Sequence, residues 1–182
     1  MDALQSTRST WHLDPAHTLV EFSGKHMMFT TVKGRFRSVR GTLTLDEAHP
    51  ENSLVEVEID ANSLDSGVEY RDNHLKSADF LDAEHYPLIT FKSTRITRQG
   101  DTSAQVTGTL TIRDVSREIT LETDLTGRGK SPQGNEAVGF EAHATINRKD
   151  WGLTWNMPLE TGGFLVGDTI KIEVATEANR TQ

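Results

Sequence analysis

The 182-residue sequence contains no cysteine. This absence excludes disulfide bonds, cysteine-ligated zinc, iron–sulfur centres and thiol catalysis. The sequence also lacks a run of about 20 apolar residues, the length that a membrane-spanning helix requires. Its N-terminal segment, MDALQSTRST, has no apolar region of the kind that a signal peptide needs. We therefore expect no stable membrane insertion and a cytoplasmic location, with a periplasmic or secreted protein only if a leader has been removed.

Basic residues are in the minority. There are 19 Lys and Arg residues against 27 Asp and Glu residues, which gives a net charge of −8. Clustered basic residues supply much of the affinity for nucleic acids and also attract proteins to anionic membranes. Because the sequence has no block of about five or six basic residues, we expect neither a nucleic-acid partner nor attachment to an anionic membrane surface.

The sequence is rich in segments whose apolar and polar residues alternate with a period of two, the pattern of a half-buried β-strand. In VEVEIDA, Val55, Val57 and Ile59 fall on one face, and Glu56 and Glu58 fall on the other. Further strands are predicted at 18–24, 32–46, 88–98, 104–112, 117–125, 138–146 and 169–177. Short connections separate most of these segments, so neighbouring strands are expected to pair antiparallel.

Two short helices are predicted, roughly at residues 70–77 and 148–152, with Asn147 as the N-cap of the second. About eight strands with one apolar face can hide their edges by closing into a barrel. We therefore predict an all-β protein, an eight-stranded antiparallel barrel with one or two short helices. Its interior would be filled by side chains or would hold one small ligand. The barrel is predicted to span 10–177, between a flexible N-terminal tail, 1–9, and a C-terminal tail, 178–182.

The sequence carries no established motif for catalysis or metal binding. GRGKS, residues 127–131, resembles the end of a phosphate-binding loop, but Asp124 stands where that motif needs a glycine, so we predict a hairpin loop. The seven histidines form no HExxH pattern, and no G-x-S-x-G nucleophile motif occurs. We therefore predict no catalytic residues, no metal ligands and no cofactor, and we do not expect an enzyme.

Apolar residues also cluster outside the alternating segments. Met27, Met28 and Phe29 stand together between two predicted strands, and the glycine-containing segment 151–167 includes Trp151 and Trp155. Two interpretations are open. These residues plug one end of the barrel, or they form an apolar mouth that admits a ligand, with methionines as adaptable walls.

Five blocks of the sequence resemble the YceI family, over roughly residues 10 to 176. They are WHLDPAHTLVEFSGKHM (11–27), VKGRFRSVRGTLTLD (32–46), VEIDANSLDSGVEYRDNHLKSADFLDAEHYPLITFKST (57–94), VTGTLTIRDVSREITLE (106–122) and NRKDWGL (147–153). The resemblance implies a lipocalin-like antiparallel barrel of eight strands with a long apolar tunnel. It also implies binding of polyisoprenoids, such as quinones with isoprenoid tails or polyprenyl phosphates, and a homodimer.

From the resemblance and the alternation together, we predict a protein that carries or sequesters a long-chain isoprenoid lipid or a fatty amphiphile. The residues predicted to contact its tail are Phe22, Met27, Met28, Phe29, Phe36, Phe80, Phe91, Phe140, Trp151 and Trp155. Other residues predicted to face inward are Val57, Ile59, Ile146 and Ile172. The residues predicted to contact the polar head group are His26, Arg71, His74 and Asn156.

Two other functions stay open on the sequence. One is an enzyme that acts on a lipid substrate, with His and Asp side chains as acid and base. The other is a ligand-free structural or interaction barrel whose lumen is filled by Phe and Trp side chains.

RDNHLKSADFLD, residues 71–82, is the densest polar stretch of the sequence. We expect Arg71 and Asp72 to anchor this segment through charge-assisted hydrogen bonds, while Leu75, Phe80 and Leu81 turn inward. The alternative is that Arg71 or His74 contacts the head group of a ligand.

Overall fold

A computed structural model describes residues 8–181. In this part of the chain the strands are β1 (Arg8–His26), β2 (Thr30–Phe36), β3 (Val39–Asp46), β4 (Leu54–Asp60), β5 (Leu64–Asp65), β6 (Leu88–Arg98), β7 (Ser103–Ile112), β8 (Val115–Lys130), β9 (Glu136–Asn147) and β10 (Thr169–Arg180). Helix α1 spans Glu69–Lys76, and 3-10 helices span Pro50–Asn52, Ala61–Ser63 and Arg148–Trp151. Within residues 8–181, no helix is both long and apolar enough to cross a membrane.

The strands close into a barrel. Eight of them follow one another around the ring in the order β1, β3, β4, β6, β7, β8, β9, β10, and β10 pairs back onto β1. All of these pairings are antiparallel. Closure leaves no exposed edge in this ring, and it confirms the predicted eight-stranded antiparallel barrel.

The long strand β1 serves two neighbours. Its first half pairs with β3 and its second half pairs with β2, which in turn pairs with the two-residue strand β5. The register with β10 shifts between Leu13 and Thr18. A bulge of this kind bends and twists a strand, and here it separates the two halves of β1.

Several boundaries differ from the sequence predictions. The predicted strand 32–46 is divided into β2 and β3, and β8 continues through Gly127–Lys130, so the turn after GRGK lies at 131–135. β10 extends to Arg180 and β1 begins at Arg8. The barrel therefore includes parts of both predicted tails. Ala178, in the predicted C-terminal tail, is fully buried. Residues 1–7 and 182 of these tails lie outside the described residues.

Both predicted helices are confirmed. The first is α1, one residue earlier than predicted, and the second is the 3-10 helix Arg148–Trp151. The Asn147 side chain caps this 3-10 helix, because its Oδ1 accepts a hydrogen bond of 3.0 Å from the Lys149 backbone N–H.

Alternation separates the barrel into an apolar lumen and a charged outer face. Val57 and Phe91 are directly paired across β4 and β6 and point inward, whereas the adjacent pair, Glu56 and Lys92, points outward and forms an ion pair of 2.9 Å. Successive strand residues point to opposite faces. Because both members of the outer pair are exposed, the pair contributes little to stability, and burial of the inward set dominates.

One end of the barrel is closed by a plug, which consists of α1, residues 77–87, the 3-10 helix Arg148–Trp151 and residues 152–168. The opposite end, where β3 joins β4, β6 joins β7 and β8 joins β9, is here called the rim. Trp151 fixes the plug to the barrel wall: its side chain is buried, and its Nε1–H donates a hydrogen bond of 3.0 Å to the Leu110 carbonyl on β7.

Arg148 holds the plug together from within. Only 3% of this residue is exposed. Its Nε–H donates to the Gly167 carbonyl at 2.9 Å, its Nη1 donates to the Leu153 carbonyl, and its Nη2 donates to the Val166 carbonyl at 3.3 Å. The planar guanidinium thus connects both ends of the 152–168 segment to the 3-10 helix. A lysine ammonium has a different donor geometry and does not replace these contacts.

We expect Arg148→Lys to lower the free energy of unfolding by at least about 2 kcal/mol, because hydrogen bonds from a charged donor are each worth about 1.5–3 kcal/mol. Urea denaturation followed by far-UV circular dichroism measures this. Arg95→Lys is the matched control: it changes an exposed arginine on β6 and should stay within about 0.5 kcal/mol of the wild type. Equal stability of the two variants would show that Arg148 does not hold the plug.

Trp151→Phe should cost about 1–3 kcal/mol, because it leaves the buried Leu110 carbonyl without its indole donor. Trp155→Phe serves as a comparison, since Trp155 is only half-buried. The decrease in the free energy of unfolding should be smaller for Trp155→Phe than for Trp151→Phe in the same denaturation experiment. If the order of the two effects is reversed, the indole hydrogen bond is not what attaches the plug.

Candidate ligand-binding cavity

The inward faces of the strands enclose a cavity of about 600 Å³. Small-molecule sites in proteins commonly measure about 300–1,000 Å³. The walls are mainly aliphatic and aromatic side chains from the barrel strands, with Leu75, Phe80 and Leu81 of the plug at one end. Such a lining favours an apolar guest, since removal of apolar surface from water supplies the binding free energy.

The residues predicted to face inward do line this cavity. They are Phe22, Phe36, Val57, Ile59, Phe91, Phe140, Ile146 and Ile172. The rings of Phe22 and Phe36 lie 5.5 Å apart between centroids. The Phe22 ring also covers Gly34 on β2, where a Cβ atom would overlap it. Glycine at this position therefore lets the Phe22 ring lie flat against the wall.

Six further residues were predicted to contact the tail, and one of them, Phe80, lines the cavity. Met27, Met28 and Phe29 form the exposed turn between β1 and β2. Trp151 is buried against β7, and Trp155 lies behind Phe80, with ring centroids 5.5 Å apart. These five residues are parts of the plug end or its surface and are not among the residues that line the cavity. Their predicted contact with a ligand tail stays untested.

The four residues predicted to hold a head group also lie at the plug end, outside the cavity lining. The Asn156 amide bonds both the N–H and the carbonyl of Val166, and His74 Nε2 lies 2.9 Å from Asp79 Oδ2. Arg71 donates to the Ser66 hydroxyl and carbonyl. His26 is exposed next to the β1–β2 turn. Three of these side chains therefore stabilise the plug itself.

The RDNHLKSADFLD segment has the architectural role that the sequence suggested. Arg71 and Asp72 both bind Ser66, and the Asp72 carboxylate accepts from the Ser66 backbone N–H at 2.8 Å. Leu75, Phe80 and Leu81 turn inward to the cavity. His74 packs edge-on against Trp155, with ring centroids 4.5 Å apart. The charges thus anchor a segment whose apolar side chains close the cavity.

Charged residues at the rim, which the sequence predictions did not include, are part of the lining. The lining residues that are exposed to solvent are Glu47, Arg98, Asp101, Thr102 and Arg128. Arg128 Nη1 lies 2.8 Å from Glu47 Oε1, and Arg98 Nη2 lies 3.4 Å from Asp101 Oδ1. Arg128 belongs to the GRGKS stretch, which the sequence predicted to be a hairpin loop and which the structure places largely at the end of β8.

The plug end of the cavity also contains a charge, the Arg148 guanidinium. Burial lowers the pKa of this group, and the nearby Asp168 carboxylate opposes that shift. The guanidinium still carries its charge at any physiological pH. Phe80 lies against it, 6.0 Å from ring centroid to guanidinium carbon. The hydrogen bonds of Arg148 to backbone carbonyls, together with the Phe80 ring, separate most of this charge from the apolar lumen.

A group of possible metal ligands occurs outside the cavity lining. Within residues 8–181, Asp14, His17 and Glu177 place their ligand atoms within 4.8 Å of one another. The hydrogen bond between Asp14 and His17, 2.9 Å long, raises the pKa of His17 and lowers the pKa of Asp14. This mutual stabilisation accounts for the cluster without an ion.

Comparison with known proteins places this barrel in a family. Residues 11–178 match the family model described as the YceI-like domain. A UPF0312 protein of Pseudomonas aeruginosa strain LESB58 is 39% identical over 141 residues, which are 78% of this chain and 73% of the relative. Protein YceI of Salmonella newport is 38% identical over the same shares.

Solved structures share the fold. Burkholderia cenocepacia BcnA superposes with a TM-score of 0.79 at 24% identity, covering 91% of this chain and 98% of that one. A Campylobacter jejuni YceI protein gives 0.74 at 31% identity, covering 87% and 90%. A polyisoprenoid-binding domain from Saccharophagus degradans gives 0.69 at 14% identity, covering 94% and 98%. Because the family model matches most of the chain and the relatives named above are 38% and 39% identical to it, this chain is a member of the YceI family.

Proposed function

We propose that this protein binds a long-chain isoprenoid lipid, or a similar amphiphile, and carries or sequesters it with the tail inside the barrel. The observation that carries the proposal is the apolar cavity of about 600 Å³ within a closed ring of strands. The resemblance to a domain described as polyisoprenoid-binding, although at the level of the fold, agrees with it. An isoprenoid quinone and a polyprenyl phosphate are the two ligand types expected.

Burial of the tail would supply the affinity. Each CH₂ group removed from water contributes about 0.8 kcal/mol, so a long tail exceeds the practical ceiling for non-covalent binding of about 18–21 kcal/mol. Loss of ligand freedom, together with the affinity of the same tail for membranes, offsets a large part of this gain. We therefore expect slow exchange and co-purification of ligand from the host cell.

The cavity favours binding over the two rival functions. In a ligand-free structural barrel, Phe and Trp side chains would fill the lumen, whereas here Trp151 and Trp155 lie outside the lining. The histidine–carboxylate pair that an enzyme on this scaffold would use, His74 with Asp79, also lies outside it. A binding protein without catalytic activity is therefore the function we propose, acting without a cofactor.

A homodimer and a cytoplasmic location stay predictions. An exposed apolar surface at the plug end would support self-association. There Met27 donates its backbone N–H to the Leu165 carbonyl, and Met28 packs on Gly163. Phe29 and Phe164 are exposed beside them. Multi-angle light scattering tests the dimer, and fractionation of the source cells tests the location.

Mass spectrometry of an organic-solvent extract, together with native mass spectrometry of the purified protein, tests the proposal directly. We expect an isoprenoid quinone, a polyprenyl phosphate or a related amphiphile at about one molecule per chain. Delipidated protein should bind such a lipid again and gain thermal stability from it. If delipidated protein stays ligand-free after incubation with isoprenoid lipids, this barrel is not a lipid carrier.

Ala142→Trp should weaken lipid binding at least about tenfold, because an indole at this half-buried lining position on β9 takes up volume that the tail needs. His143→Trp is the matched control: the next residue along β9 points outward, so the same side chain leaves the lumen unchanged. Titration with a fluorescent isoprenoid analogue measures both affinities. Equal affinities in the two variants would show that the lipid does not occupy the barrel.

A further inference from the structure

The cavity meets solvent at the rim. In the part of the chain that the structure describes, every exposed lining residue lies at this end of the barrel: Glu47, Arg98, Asp101, Thr102 and Arg128. At the other end, the lining residues Phe80, Arg148 and Leu153 belong to the plug and are buried. A lipid that enters the lumen tail-first through the rim therefore leaves its polar end among the rim side chains.

One ion pair reaches across this opening. Glu47 directly follows β3, and Arg128 lies near the end of β8. These two strands are on opposite sides of the ring, because three strands separate them in either direction. The register shift between Leu125 and Gly127 supplies a bulge just before Arg128, and bulges bend a strand and redirect its side chains. The contact of 2.8 Å between Arg128 Nη1 and Glu47 Oε1 thus spans the rim.

We propose that the rim is the head-group site and that Arg128 exchanges the Glu47 carboxylate for an oxyanion on the ligand, a carboxylate or a phosphate. This inference rests on the proposed lipid-binding function and deepens it. The carboxylate of Glu47 already occupies the position that such an anion would take. Guanidinium groups bind planar carboxylates and phosphates through two parallel hydrogen bonds.

The exchange has a low energetic cost. The side chains of Arg128 and Glu47 are 47% and 54% exposed, and exposed ion pairs stabilise proteins by little. A ligand whose tail is held in the lumen presents its anion at a high effective concentration. It therefore competes well with the carboxylate of Glu47 for the guanidinium.

Other cations near the cavity are less suited to this role. Arg98 is held within its own turn, where its Nε–H donates to the Gly100 carbonyl at 2.8 Å. Arg148 lies at the opposite, buried end and donates to three backbone carbonyls. Arg128 differs from both, because its guanidinium pairs with a side chain on the far side of the opening, the Glu47 carboxylate.

Isothermal titration of delipidated protein with three probes tests the site: geranylgeranyl monophosphate, oleate and the neutral alcohol geranylgeraniol. Arg128→Gln should weaken binding of an anionic probe about tenfold and leave the alcohol unchanged. Glu47→Gln should strengthen anion binding about twofold to fivefold, because it removes a competing carboxylate. The anion that loses more affinity in Arg128→Gln identifies the phosphate or the carboxylate as the preferred head group.

Arg117→Gln is the matched control, because Arg117 is an exposed arginine on the same strand at the opposite end. It should leave all three affinities unchanged. The inference is overturned if Arg117→Gln and Arg128→Gln weaken anion binding equally, or if neither affects it. Binding of geranylgeraniol by the wild type separates this result from a failure of the proposed function. If only the head-group site is wrong, the wild type still binds this alcohol; if the barrel binds no lipid, it does not.

The absence of cysteine allows a second, independent measurement. Thr102→Cys places a single thiol on the rim, and Met157→Cys places one on the exposed surface of the plug. Bound geranylgeranyl monophosphate should slow alkylation of the rim thiol and leave the plug thiol unaffected, and a bulky maleimide at the rim should slow ligand uptake. Protection of the plug thiol instead would place the opening at the other end and overturn the inference.

Discussion

The pairing of β10 with β1 closes the barrel, and the lumen, the plug and the rim all require this closure. It joins the two ends of the described chain, from Trp11 opposite Arg180 to Ser23 opposite Lys171, and it turns an open sheet into a ring. A ring has no strand edges to protect, and its wall shields the inner surface from water except at the rim, where lining residues such as Arg128 are exposed. The cavity exists because this closure holds the inward side chains apart on opposite walls, so that they do not collapse onto one another.

The two ends of the ring have opposite physical character. At the plug end, the Arg148 side chain donates hydrogen bonds to three backbone carbonyls of the irregular segment 152–168, and Trp151 donates one to a carbonyl of β7. At the rim, the charges lie in exposed turns and pair with one another in ways that are easily exchanged. This contrast between a hydrogen-bonded plug and a rim with exchangeable ion pairs agrees with the proposed tail-first uptake of an amphiphile.

The lumen was predictable from the sequence, whereas the ends were not. The alternation of apolar and polar residues predicts that Phe22, Phe91, Phe140 and Ile172 face inward, and all four line the cavity. The residues predicted to contact a head group, His26, Arg71, His74 and Asn156, lie at the plug end of the barrel and outside the cavity lining. The rim residues Glu47 and Arg128 are 81 positions apart, and no local pattern relates them.

The strands, their inward faces, the two short helices and the family could all be predicted from the amino-acid sequence. Each of these depends on interactions between residues that are close along the chain or on a motif that can be read directly. Which end of the barrel is closed, and which polar side chains reach the cavity, became clear from the three-dimensional fold. Alternation specifies the side of a strand to which a residue points, but the position of a loop over one end depends on contacts between distant segments, such as those of Arg148 with residues 153–167.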